Sequence, residues 1–146
     1  MTHLPISASI VLVLLRGNGC MHKSRIAGIV IDCQTNDLDK EAVFWSQALG
    51  STSKRSSDPD DENYISLETE SGEIEVLLQK VEHDSRVHLD IETDDIEAEV
   101  NRLEKLGAKR IGHVKRWCVM EAPSGHRFCV VTPQRSDFDD KANRWE

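Results

Sequence analysis

"IVIDCQTNDLDKEAVFW" (29–45) and "VHLDIETDDIEAEVNRL" (87–103) decide how this chain folds. Laid over each other without a gap, at an offset of 58 residues, they agree in chemistry along most of their length. Asp32 meets Asp90, Thr35 meets Thr93, Asp37 meets Asp95 and Glu41 meets Glu99. One residue is then dropped, and Leu49-Gly50 meets Leu106-Gly107. Further on, "SGEIEV" (71–76) is similar in kind to "SGHRFCV" (124–130). Self-similarity at a fixed spacing marks a duplicated supersecondary unit.

Each copy reads the same way. An apolar strand comes first, "IAGIVID" or "RVHLDI". Asp37 or Asp95 follows, a carboxylate suited to capping free N–H groups at a helix start. Leu38, Ala42, Trp45 and Leu49 then recur at helical spacing, as do Ile96, Val100, Leu103 and Leu106. Gly50 and Gly107 stand where a C-terminal cap belongs. Three short strands complete the second copy, about "AKRIGHV", "WCVMEA" and "RFCVVT". In the first copy "YISLET" and "EIEVLLQKV" flank a turn, and the strand after Gly50 is hard to discern. The expected fold is α+β, two tandem β-α-β-β-β modules at about 25–82 and 86–133 within a domain of residues 23–134. Residues 56–63 read as a polar loop. The tail 135–146 has no strong period and reads as a solvated extension.

The 146 residues allow one ordinary domain. Lys and Arg number 18 against 26 Asp and Glu, a net charge of −8. With no basic stripe, this disfavours nucleic-acid binding. Four cysteines form no CxxC pair, which removes a zinc knuckle. Cys33, Cys118 and Cys129 lie in apolar runs and read as packed, reduced thiols of a cytoplasmic protein. "ISASIVLVLL" (6–15) is too short for a membrane span. It suits the apolar core of a signal peptide, although "MTHLP" before it has no Lys or Arg. Export of the chain is the alternative if residues 1–20 are such a signal, and a true start at Met21 is the simpler reading. Residues 1–22 therefore stand outside the fold argument.

The order and spacing of "DLDKEAVFWSQALG", "VHLDIETDDIEAEVNRLEKLGA" and "WCVMEAPSGHRFCVV" resemble the glyoxalase-like branch of the vicinal oxygen chelate superfamily, over about residues 25–133. The resemblance implies sheets that curve round a shared cleft, and copies that often associate as homodimers. It also implies, for the enzymes of the superfamily, a divalent metal (zinc, nickel, manganese or iron) held by up to four side chains, two from each module. Other members bind small molecules without metal.

On this resemblance His88 falls on a ligand position, and its repeat mate is Val30, which has no donor atom. Cys129 takes the position on the last strand. Glu75, Leu77 and Gln79 share one face of their strand, so Glu75 or Gln79 is the remaining candidate. The metal candidates are His88, Glu75, Gln79 and Cys129, and the expected cleft lining is Gln79, His88, Trp117 and Cys129. Trp45 reads as core, and Trp117 as either core or cleft wall. Asp32 and Asp90 read as strand-end carboxylates rather than acid/base groups. His113 and His126 read as surface residues.

Three functions follow. The first is a module that binds a small molecule in the cleft without the full metal site. The second is a metal-dependent lyase, isomerase or dioxygenase with a reduced ligand set built on His88, true lactoylglutathione lyase chemistry being disfavoured. The third is a structural or dimerising domain.

Overall fold

The computed structural model describes residues 21–146. The expectations about residues 1–20 lie outside the described residues. The first module comprises β1 (His22–Gln34), α1 (Leu38–Leu49), β2 (Ser53–Lys54), β3 (Tyr64–Leu67) and β4 (Glu75–Val81). The second comprises β5 (Arg86–Thr93), α2 (Ile96–Lys105), β6 (Lys109–Val114), β7 (Trp117–Glu121) and β8 (Arg127–Val131). Asp37 and Asp95 cap their helices through side-chain oxygens, on the backbone N–H of Lys40 and Ala98. Gly50 ends α1 in the left-handed region, at φ 68°, which a side chain would disfavour.

All strands join one curved, open sheet in the order β2-β3-β4-β1-β5-β8-β7-β6. Each module contributes four neighbours, and the modules meet where β1 pairs antiparallel with β5. Val30 lies directly opposite His88 in that pairing. These two are repeat mates, so a local two-fold relation between the modules passes through this one pair. Asp32 and Asp90 are then equivalent on its two sides.

Side chains alternate between the faces of a strand. One face packs on the helices. In the first module Cys33, Leu38, Ala42, Ile65, Leu67 and Leu78 form a buried cluster, with Trp45 against it. Val100, Leu103, Cys118, Met120 and Val130 form its counterpart in the second. The opposite face carries the cleft.

The tail is not a solvated extension. Residues Phe138–Lys141 form α3, and Asn143–Trp145 form β9, which pairs with the start of β1 at His22–Ser24. Phe138 is buried. The domain thus reaches past residue 134 at one end and back to His22 at the other. The physical reason is a set of distant partners. Trp145 donates its ring N–H to Ser24 Oγ at 2.7 Å, and the Arg102 guanidinium lies 3.9 Å over its ring. Glu92, fully buried, accepts from Arg25 at 2.6 Å and from the backbone of Gln134 and Arg135.

Glu99 anchors this corner. It is fully buried on α2 and accepts hydrogen bonds from Ser24 at 2.8 Å and twice from Arg102, with His22 Nε2 at 2.6 Å. Burial alone would raise its pKa. The bonds from Arg102, His22 and Ser24 outweigh that and hold it below the usual 4.5. A depressed acid stabilises the fold above its unfolded value and loses that contribution as pH falls through its folded value. Glu99→Ala is therefore expected to cost about 3 kcal/mol in urea unfolding at pH 7. The gap to the unsubstituted chain should narrow once the pH falls below about 4.

Candidate functional site

The cleft lies on the sheet face away from the helices and encloses about 330 Å³. Strand parity selects its lining. β4 presents Glu75, Leu77 and Gln79, so both of the alternatives left open by sequence face it. β3 adds Tyr64 and Ser66, β1 adds Val30, and β5 adds His88 and Asp90. Cys129 and Val131 come from β8, and Trp117 from the start of β7. Gln79, His88, Trp117 and Cys129 thus line one cavity. Tyr64 and Asp90 were not singled out as site residues by sequence.

His88 is the best-anchored group. Its Nδ1 lies 2.7 Å from Asp32 Oδ2, a diagonal contact across the β1–β5 joint. Its Nε2 lies 3.3 Å from Asp90 Oδ1, close enough for an ion pair but not aligned as a hydrogen bond. The two aspartates expected at strand ends therefore flank the histidine instead. The reason is the register, which brings Asp32 beside a ring two residues from Asp90 on the same strand face. Burial would by itself push the ring towards its neutral form. Contacts with Asp32, Asp90 and Cys129, and the charge of Asp32, outweigh this, and the pKa is pushed up to about 11.

The neighbours are tuned by the same low-dielectric surroundings. Tyr64 is pushed up to about 12, first by burial and then by the charges of Asp90, Cys129, Asp32 and Asp61. It stays a neutral phenol and accepts a hydrogen bond from Gln79 Nε2 at 3.0 Å. The Glu75 carboxyl is also raised, by burial first and then by Glu92, with Asp90 adding to it and Arg135 opposing.

A glyoxalase-like domain model matches residues 28–131. The chain belongs to the glyoxalase-like domain family. No curated protein sequence matches it. Solved structures share the fold of this glyoxalase-like chain. Methylmalonyl-CoA epimerase from Mycobacterium tuberculosis is similar at a TM-score of 0.54 and 15% identity, over 75% of this chain and 87% of that one. A variant of homoprotocatechuate 2,3-dioxygenase from B. fuscum gives 0.51 and 18%, over 85% of this chain and 34% of that one. A hypothetical protein from Bacillus halodurans gives 0.50 and 14%, over 77% and 98%. At these identities the likeness concerns the fold alone.

The four-donor metal pattern implied by the superfamily does not fit this glyoxalase-like cleft. Val30 offers no donor, and Leu77 is its partner in the β1–β4 pairing. Gln79 is bonded to Tyr64. A smaller set of donor groups does converge in the cleft. Donor atoms of His88, Asp90 and Cys129 lie within 4.8 Å of one another. Asp90 Oδ1 has no aligned hydrogen-bond donor and faces the His88 ring at 3.3 Å.

The pairing of Asp32 with His88 gives a direct test on metal-free protein. The His88 value in the folded state lies above its ordinary 6.5. Its contribution to stability is complete below that pH and is lost as pH rises through about 11. By NMR the His88 ring should remain protonated at about pH 9, well inside that window. Asp32→Asn should lower the pH at which the ring titrates and should cost about 3 kcal/mol at pH 7.

Proposed function

We propose that this glyoxalase-like protein binds a small organic molecule in the cleft, with Gln79, His88, Trp117 and Cys129 among its contacts, and that binding does not need the full four-donor metal site. The cleft itself supports the reading. Its volume of about 330 Å³ suits a small ligand. Its polar groups are held in advance of any ligand: the charged His88 ring is fixed by Asp32, and the Tyr64 hydroxyl is fixed by Gln79. Trp117 supplies a partly buried aromatic wall. Pre-organised polar groups on a largely formed cavity reduce the ordering cost of binding.

The thiols of Cys33, Cys118 and Cys129 are unpaired, which supports a reducing setting such as the cytoplasm. Among the described residues no helix is long and apolar enough to cross a membrane.

The second reading is a divalent-metal lyase, isomerase or dioxygenase on a reduced ligand set. The convergence of His88, Asp90 and Cys129 favours it. The epimerase and the dioxygenase of like fold show that the architecture hosts both kinds of chemistry.

A thermal-shift screen of chelator-treated protein against small carbonyl, hydroxy-acid and aromatic compounds tests the first reading. A binder is expected to raise the melting temperature in a concentration-dependent way. Trp117→Ala and Gln79→Ala should each weaken that binder about tenfold, roughly 1.4 kcal/mol. A screen without any saturable binder would leave the structural or dimerising role standing instead.

A further inference from the structure

We infer that Arg135 is a positioning residue for the cleft: it fastens the C-terminal segment across one end, so that Thr132 and Gln134 form a wall limiting what the cleft admits. The inference rests on the small-molecule reading and names what sets the size of that molecule.

The wall lies where the chain leaves β8. Thr132 and Gln134 line the cleft just beyond the end of that strand. Glu75, the first residue of β4, lines it too, and the turn 70–74 leads into Glu75. Arg135 ties the wall to this turn. Its guanidinium donates to the backbone carbonyls of Glu73 at 3.1 Å, Gly72 at 3.4 Å and Ile26 at 3.2 Å. Ile26 stands at the bulge of β1, just outside the β1–β4 pairing that begins at Gly28 and Glu75. Three elements distant in sequence therefore meet at one planar fork. A lysine has no such fixed spread of donors.

Glu92 holds the backbone of the same segment. It is fully buried, and one carboxylate oxygen accepts from the N–H of Gln134 at 2.6 Å and of Arg135 at 3.0 Å. Its other oxygen takes Arg135 Nε at 3.4 Å. At the offset of the repeat its mate is Gln34, which ties down the chain leaving β4 by donating to the Glu82 carbonyl at 2.9 Å. The two exits are thus fastened at equivalent places, but only one of them borders the cleft. Residues 82–85 do not line it, whereas Val131, Thr132 and Gln134 do.

Anchors further along keep the fork in place. Phe138 is buried, with the Arg25 guanidinium 6.0 Å over its ring, and Arg25 also binds Asp137. Gln134 folds its amide back onto the Thr132 carbonyl at 2.8 Å. A wall held before any ligand arrives rejects oversized molecules by clash and needs no ordering when a fitting one binds.

The thiol of Cys129 can report on this wall, because it lines the cleft while Cys33 and Cys118 are buried. The full chain is treated with N-methylmaleimide or N-phenylmaleimide. Peptide mapping gives the alkylation rate of Cys129 with each, divided by the rate of free cysteine. In the unsubstituted chain the smaller reagent is expected to be preferred about tenfold. Arg135→Gln and Arg135→Lys should each abolish most of that preference. Arg110→Gln, which removes an arginine paired with Glu97 and Glu104 of α2, should leave it unchanged. Amide hydrogen exchange over residues 70–75 should speed up about tenfold in Arg135→Gln. A merely structural arginine would lower the urea midpoint without altering the size preference.

No size preference in the unsubstituted chain, a preference that Arg135→Gln leaves intact, or a Cys129 unreactive in every variant would each overturn the inference. Gln134→Ala keeps the Arg135 fork and should by itself weaken the preference. It decides the matter if Arg135→Gln does not fold, and an unchanged preference there overturns the inference equally. Thermal-shift binding is a separate measurement, so failure here is distinguishable from failure of the cleft reading.

Discussion

The antiparallel pairing of β1 with β5 is the constraint from which the rest follows. It is the joint between the modules, and its register sets Val30 against His88. A shift by a single residue would turn every side chain of one strand to the opposite face. The cleft face would then lose Val30 and Asp32 from β1 together, and with them the contact that orients His88. The joint therefore does two jobs through the same backbone bonds. It closes the domain, and it brings a carboxylate from one module to the ring of the other.

Duplication left the two halves alike in backbone and unlike in chemistry. At the two-fold position one mate is an apolar residue, buried among strands, and the other is a charged ring. Glu41 and Glu99 show the same divergence. Glu41 is only partly buried, whereas Glu99 is sealed among Ser24, Arg102 and His22. In both cases two equivalent positions of the repeat sit in different environments.

Much of this fold was legible in the sequence because the repeat keeps its apolar period, its capping aspartates and its helix-ending glycines. The cleft lining from β4 was legible for a simpler reason, since alternation alone places Glu75, Leu77 and Gln79 together. What could not be read depends on partners far along the chain. The pairing of Asp32 with His88 needs the register of the joint, which no local pattern carries. Asp90 reads as a strand-end carboxylate because that is the usual place of a carboxylate in a strand, although its spacing of two from His88 is a signal for a shared face. Tyr64 belongs to no repeated motif and enters the site only through its pairing with Gln79. The tail has elements of three and four residues, too short for periodicity, and its order comes from Ser24, Glu92 and Arg102.

The docking of β9 has a consequence for how copies of this chain meet. Along one edge of β1, β4 covers the stretch from Gly28 onward, and β5 occupies the other edge. Without β9 the first turn of that ladder, from His22 to Ser24, would present unpaired N–H and C=O groups at the heart of the sheet. Such an edge is a template for strand addition by any other chain. The last residues thus act as an internal plug, self-supplied. They spare the most central strand of the molecule from recruiting strangers.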